Sequence, residues 1–262
     1  MKKIISAWSE VTLVGIMFLT QMPTALSQTQ FERIEFPVGH VFVPSEGYDD
    51  NDNVEIVLDG ILPNGCYAVS DYSATVDPVS KQIVPHLFVA HRTDSLCKDG
   101  NHLSSALLSP VPYTLEIALG NLNLGEYNVI DYHPGLPPEE RKFQVAAATA
   151  VGVDDMPYAA VSSIWIPDTV RGDLNIDARL IGVLTSSCSS LSKLIVKRLG
   201  DVFVVLPTLT FWDNLMCNIS KLPFNRSISL GAPGEGRFLI HARSMSGHSV
   251  NRVFSAVVPD PS

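Results

Sequence analysis

Basic side chains are scarce in this 262-residue sequence: 18 lysines and arginines stand against 27 acidic residues, a net charge of −9. A nucleic-acid binder needs a basic stripe that displaces phosphate counterions, and a protein held on an anionic membrane surface needs clustered Lys and Arg. The acidic balance argues against both. Long apolar runs are missing too. The run from Val11 to Leu19 is about nine residues, against the roughly 20 that a spanning helix requires. No later stretch approaches that length without charge or proline, so no transmembrane segment is expected in the mature chain. Helical periodicity is absent: no segment keeps a 3.6-residue apolar period beyond two turns, and the closest, Leu184 to Leu194, is serine-rich. With 46% hydrophobic and only 17% charged residues, the chain is nevertheless too apolar to remain disordered.

Catalytic signatures are also lacking. There is no G-x-S-x-G elbow, H-E-x-x-H, Walker loop or G-x-G-x-x-G after a strand. Ser190-Leu-Ser-Lys193 spells S-x-x-K without the helix start or the Lys-Thr-Gly and Ser-Asp-Asn partners that give this motif its chemistry. His86 and His91 lie five apart on an expected strand and so face opposite sheet surfaces. No catalytic residue, cofactor site or metal site is assigned, and the protein is not expected to be an enzyme.

The N-terminus supplies an address. Lys2 and Lys3, the short apolar core, and Ala25-Leu26-Ser27 form the three parts of a secretory signal peptide over residues 1–27. Export to a periplasmic or extracellular location is therefore expected.

The remainder contains one pattern twice. Val54 to Cys66 aligns without a gap on Ile176 to Cys188, matching Leu58 with Leu180, Gly60 with Gly182 and Leu62 with Leu184. Phe42-Val43-Pro44 matches Trp165-Ile166-Pro167. Pro112 to Gly120 matches Pro223 to Gly231, Gly125 to Val129 matches Gly236 to Ile240, and Arg141-Lys142-Phe143 falls on Arg252-Val253-Phe254. Glycines, prolines and cysteines recurring in one order make chance similarity a poor account. The repeats span 37–147 and 161–259, joined by a linker over 148–160, and are expected to sit end to end. The position shared with Phe42 suggests a core role for Trp165.

Each repeat alternates apolar and polar residues with period two, as in Val54-Ile56-Leu58 and Leu115-Ile117-Leu119, between turn residues such as Pro63-Asn64-Gly65. Strands are expected near 39–43, 54–60, 66–72, 82–91, 112–119, 125–132 and 141–147. The run Gly125-Glu126-Tyr127-Asn128-Val129 resembles the entry to the penultimate strand of immunoglobulin-like domains, where a tyrosine hydroxyl bonds back across the corner. That resemblance implies an all-β protein of two tandem immunoglobulin-like antiparallel β-sandwiches. It names no functional family, and the second repeat has Phe238 at the tyrosine's place.

Four cysteines allow three connectivities. The duplication selects Cys66–Cys97 and Cys188–Cys217, one bridge per repeat, each closing a loop of about 30 residues. In the chain-entropy model such a bridge contributes about 3.6 kcal/mol. A thiol–imidazole metal site at Cys97 and His102 lacks further ligands.

Asp49, Asn51 and Asn53 begin like an EF-type calcium loop, but Val54 replaces the required glycine and Gly60 the final glutamate. A loosely bound calcium there competes with a solvated acidic turn. Arg171-Gly172-Asp173 spells an integrin tripeptide that carries little information, and Asn218-Ile-Ser220 and Asn225-Arg-Ser227 are glycosylation sequons in a eukaryotic setting only. Loops at sandwich ends commonly carry recognition. The proline-stiffened loop from Tyr132 to Glu140 is the candidate binding element, through Tyr132, His133, Pro134, Glu139 and Glu140. These features favour a monomeric, exported, non-catalytic protein that binds another protein or an envelope component. The alternatives are a secreted hydrolase inhibitor acting through end loops, compared with chagasin-type inhibitors whose signature loops are not visible, and a glycan-binding or hydrolytic accessory module.

Overall fold

The computed structural model describes residues 30–259 except 46, 95–96, 98–104, 134, 150–151, 155 and 213–215. The expected signal peptide, Pro134 and His102 lie outside the described residues. In the first half run β1 (Phe31–Phe36), β2 (His40–Phe42), β3 (Val54–Leu62), β4 (Tyr67–Asp77), β5 (Gln82–Arg92), one helical turn α1 (Ser105–Leu108), β6 (Val111–Gly120), β7 (Gly125–Asp131) and β8 (Glu139–Val145). The second half holds β9 (Ala160–Trp165), β10 (Thr169–Arg171), β11 (Ile176–Ser186), β12 (Ser189–Leu199), β13 (Val202–Phe211), β14 (Ile219–Gly231), β15 (Gly236–Ser244) and β16 (His248–Val257). The chain is all-β, with the bridges Cys66–Cys97 and Cys188–Cys217 and Cα separations of 5.8 and 5.4 Å. No helix among the described residues is long and apolar enough to cross a membrane.

Four sheets divide by sequence. The first half forms β2-β3-β6 and a larger sheet in which β5 carries β4, β7 and β1, with β8 on β7. The second half forms β9-β11-β14 and β12-β13-β15-β16-β10. Pairing is not antiparallel throughout: β5–β7, β13–β15 and β10–β16 run parallel. For β5 and β7 the reason is the intervening β6, which crosses to the other sheet and reverses direction, so β7 returns along β5.

Aligned residues keep the same registers. Gly60 faces Tyr113 across β3–β6, and Gly182 faces Phe224 across β11–β14. A Cβ on either glycine would run into that aromatic ring. Tyr127 pairs with Phe143 across β7–β8, as Phe238 pairs with Phe254 across β15–β16. The Tyr127 hydroxyl accepts a hydrogen bond from Lys81 Nζ at 3.0 Å, so this side chain anchors a lysine.

Each half has its own apolar core, around Ile56, Leu58, Leu87 and Tyr127 in the first and Leu180, Phe203, Ile240 and Phe254 in the second. A third cluster joins them: Phe42 and Val57 from β2 and β3 pack with Val202, Val204, Leu239 and Val253 of β13, β15 and β16. The expectation of an end-to-end arrangement is therefore corrected. The outer face of β2-β3-β6 lies against the outer face of the second half's larger sheet, because both faces carry apolar side chains that water would otherwise cover.

Candidate functional site

Two polar regions stand out, the seam between the halves and a groove on the first half. The seam is ionic as well as apolar. Residues 30–149 carry 17 acidic and 6 basic side chains, and residues 160–259 carry 6 acidic and 10 basic ones. Arg237 grips both Asp59 oxygens at 2.7 and 2.9 Å, and Arg243 holds Asp52 at 3.1–3.2 Å. Asn251 donates to Glu55 at 2.7 Å and Glu116 at 2.8 Å, while buried His241 stands 3.2 Å from Glu55. Asp201 reverses the polarity, accepting from Arg141 at 2.8 Å with His40 also 2.8 Å away.

These contacts explain the acidic turn Asp49–Asn53. Asp49 and Asp52 are buried, not solvated. Asp52 is committed to Arg243 and to the backbone N–H of Asp49 at 3.0 Å, and Asn53 donates to the Gly247 carbonyl. Among the described residues no three His, Cys, Asp or Glu side chains form a metal cluster. Burial raises the Asp52 carboxyl despite Arg243. Burial also works to raise Glu55, but hydrogen bonding and charge from His241, with Asn251 and Ser249, outweigh it and hold Glu55 at about 2.

The groove is built by a fork in the sheet. β4 takes one edge of β5 along most of its length. The other edge is shared: β7 pairs at Gln82 and Ile83, and β1 pairs from Leu87 to Arg92. Val84, Pro85 and His86 lie in the gap between them. Proline suits this place because it has no N–H to leave unpaired. The resulting hollow of about 460 Å³ is lined by Phe36, Pro37, Val38, Val84, Pro85 and Leu87, with Glu35, His86, Asp131 and Tyr132 supplying polar atoms.

Tyr132 lines this groove and is 59% exposed. Its neighbour Asp131, the last residue of β7, is only 4% exposed. Asp131 Oδ2 receives no hydrogen bond from the described residues, and His133 Nε2 stands 3.3 Å away. Burial pushes this carboxyl up against the pull of His133. Across the groove His86 bridges Glu35 and Thr75, each 3.0 Å away. The remaining candidates do not join the groove. Glu139 and Glu140 belong to β8, where Glu139 lies 3.8 Å from Arg141 and Glu140 accepts from Asn128 at 3.0 Å. The expected binding loop is thus shorter than 132–140, and the strand starts two residues earlier than 141 because Glu139 pairs with Asp131.

The sequence reading missed Glu35, Phe36, Pro37 and Val38 because β1 was not expected, and it missed Asp131 because a carboxylate at a strand end reads as solvated. Pro85 inside a strand was the available signal of an interrupted edge.

Trp165 is a further correction. It is 57% exposed, whereas Phe42 at the aligned place is fully buried. Phe42 pairs with Val57, and Val57 with Glu116, forming a row across β2-β3-β6 that the second half covers. The aligned row Trp165, Arg179 and Ser227 crosses β9-β11-β14 and is exposed to solvent.

Comparison with protein-family models, curated proteins and solved structures found no match. The chemistry of these residues therefore carries the functional argument alone.

Proposed function

We propose that this is an exported, non-catalytic binding protein of two duplicated immunoglobulin-like sandwich domains, covering 37–147 and 161–259, which recognises a partner protein through the groove beside Tyr132. The disulfides and the absence of a spanning helix among the described residues are compatible with export. The matched registers of Gly60–Tyr113 and Gly182–Phe224 support duplication. The observation carrying the binding reading is the groove itself. Apolar walls, a solvent-exposed tyrosine and a buried carboxylate converge there, the usual mixture of a recognition site. Placing a photo-crosslinking residue at Tyr132 and, separately, at exposed Val79 tests it in envelope or culture extracts. A discrete adduct from position 132 alone is expected. Equal labelling from both positions, or none from 132, overturns the reading.

One observation favours a second reading, a glycan-binding module. Exposed Trp165 beside Arg179 and Ser227 offers a ring to stack on sugar C–H groups, flanked by hydrogen-bonding partners. Retention on a polysaccharide column that Trp165→Ala abolishes would favour it, and no retention would remove it.

A further inference from the structure

We propose that the groove is a subsite for a cationic side chain, a lysine or arginine of the partner protein, with its charged head at the Asp131 carboxylate. This deepens the binding reading above and rests on it. The first argument is the carboxylate. A buried oxygen without a donor is costly, and more so when the group is charged. Asp131 Oδ2 is in that condition, and Asp131 is one of the residues lining the groove. His133 Nε2 at 3.3 Å does not complete a hydrogen bond, so this buried carboxylate at the groove wall keeps an accepting position unfilled.

The second argument is shape. Lys and Arg place apolar stems against apolar surface while keeping the charged head among polar atoms. Pro37, Val84, Pro85 and the Tyr132 ring provide such a surface between the rim and Asp131. A neutral aliphatic side chain would fill the same walls and leave the Asp131 carboxylate without a donor; an acidic one would add repulsion.

The third argument is charge. Residues 30–149 hold 17 acidic side chains against 6 basic ones, and the charged residue at the open rim is Glu35, whose side chain is 61% exposed. Basic groups near Asp131 are engaged elsewhere: Arg141 is bonded to Asp201, His40 stands against the same Asp201, and His86 is spent on Glu35 and Thr75. An approaching cation meets an acidic surface that steers it inward.

The test is titration of the 15N-labelled, disulfide-intact protein with three probes: Nα-acetyl-lysine methylamide, the norleucine analogue with the same four-carbon stem, and the shorter glutamate analogue. Saturable shifts at Val84, Leu87, Asp131 and Tyr132 are expected with the lysine probe, at least tenfold tighter than with norleucine and absent with glutamate. Asp131→Asn should remove the preference for lysine over norleucine, and Glu35→Gln, an exposed change that leaves packing intact, should weaken lysine binding several-fold. Glu140→Gln, outside the groove, should change nothing. Norleucine binding as tightly as lysine would overturn the cationic subsite and leave the groove as a binding site. No shift with any probe would overturn the cationic subsite too, while Tyr132 crosslinking would still decide whether a partner docks there.

Discussion

Single residues explain how the two halves stay together. Glu55 sits under His241 and Asn251, and its pKa of about 2 lies below the ordinary 4.5. A carboxylate whose pKa falls on folding binds its proton more weakly in the native state. Its stabilisation is therefore complete above pH 4.5 and is lost as the pH drops toward 2. A shift of this size corresponds to a contribution on the order of 3 kcal/mol. Urea unfolding of wild type and Glu55→Gln between pH 7 and pH 2.5 should show curves well separated at neutral pH that converge in acid. Parallel curves would mean that Glu55 has no such role. Gly60 and Gly182 give a steric prediction. Alanine at Gly60 must displace the Tyr113 ring, and at Gly182 both the Phe224 ring and the Ala160 carbonyl, which should cost about 1–3 kcal/mol or more in thermal or chemical unfolding. Gly60→Ala combined with Tyr113→Ala should recover part of that loss. The additive double mutant would contradict the clash.

At the scale of strands and bridges, alternation identified seven strands of the first half but not their full extent. β4 continues to Asp77 because it pairs with β5 as far as Gln82. β1 was invisible: Phe31, Ile34 and Phe36 break strict alternation, and Phe31 is 60% exposed. That strand is held by hydrogen bonds to β5, from Phe31–Arg92 to Phe36–Leu87, and such pairing leaves little trace in composition. The groove inherits this limit. Tyr132 and His133 were legible as a stiff loop, whereas the opposing wall belongs to the unexpected strand. Each disulfide ties neighbouring strand ends. Cys66 follows β3, and Cys217 returns beside Cys188 after β13, where Trp212 N–H donates to the Cys188 carbonyl. Replacing Cys188 and Cys217 together by alanine should lower stability by about 3–4 kcal/mol in the chain-entropy model. An unchanged unfolding midpoint would show that the bridge is ornamental.

At the scale of the whole molecule, the seam is a head-to-tail contact: one face of the first half meets a different face of the second. Such a contact leaves the complementary faces free and can in principle propagate into filaments. The free faces are altered against this. Where the seam has Val57, the bare face of β11 has Arg179; where it has Val202, Leu239 and Val253, the first half has Gln82, Asn128 and Lys142. Burying these polar groups without partners would oppose growth. Sedimentation should therefore find a monomer, and the combined variant Gln82→Val, Asn128→Leu, Lys142→Val and Arg179→Val should associate with itself. A wild-type filament would contradict the argument.

The sequence by itself determined the strand periodicity and the disulfide pairing, because these depend on residues near in the chain or on matched spacings in its two halves. Only the tertiary structure decided which faces meet, why Asp52 is buried against Arg243, why Phe42 is hidden while Trp165 is exposed, and where Asp131 opens onto a groove. Alternation says that a side chain points to one side of a sheet. What stands on that side is set by surfaces more than 100 residues apart in the chain, as Asp52 and Arg243 are, and local pattern does not encode that distance.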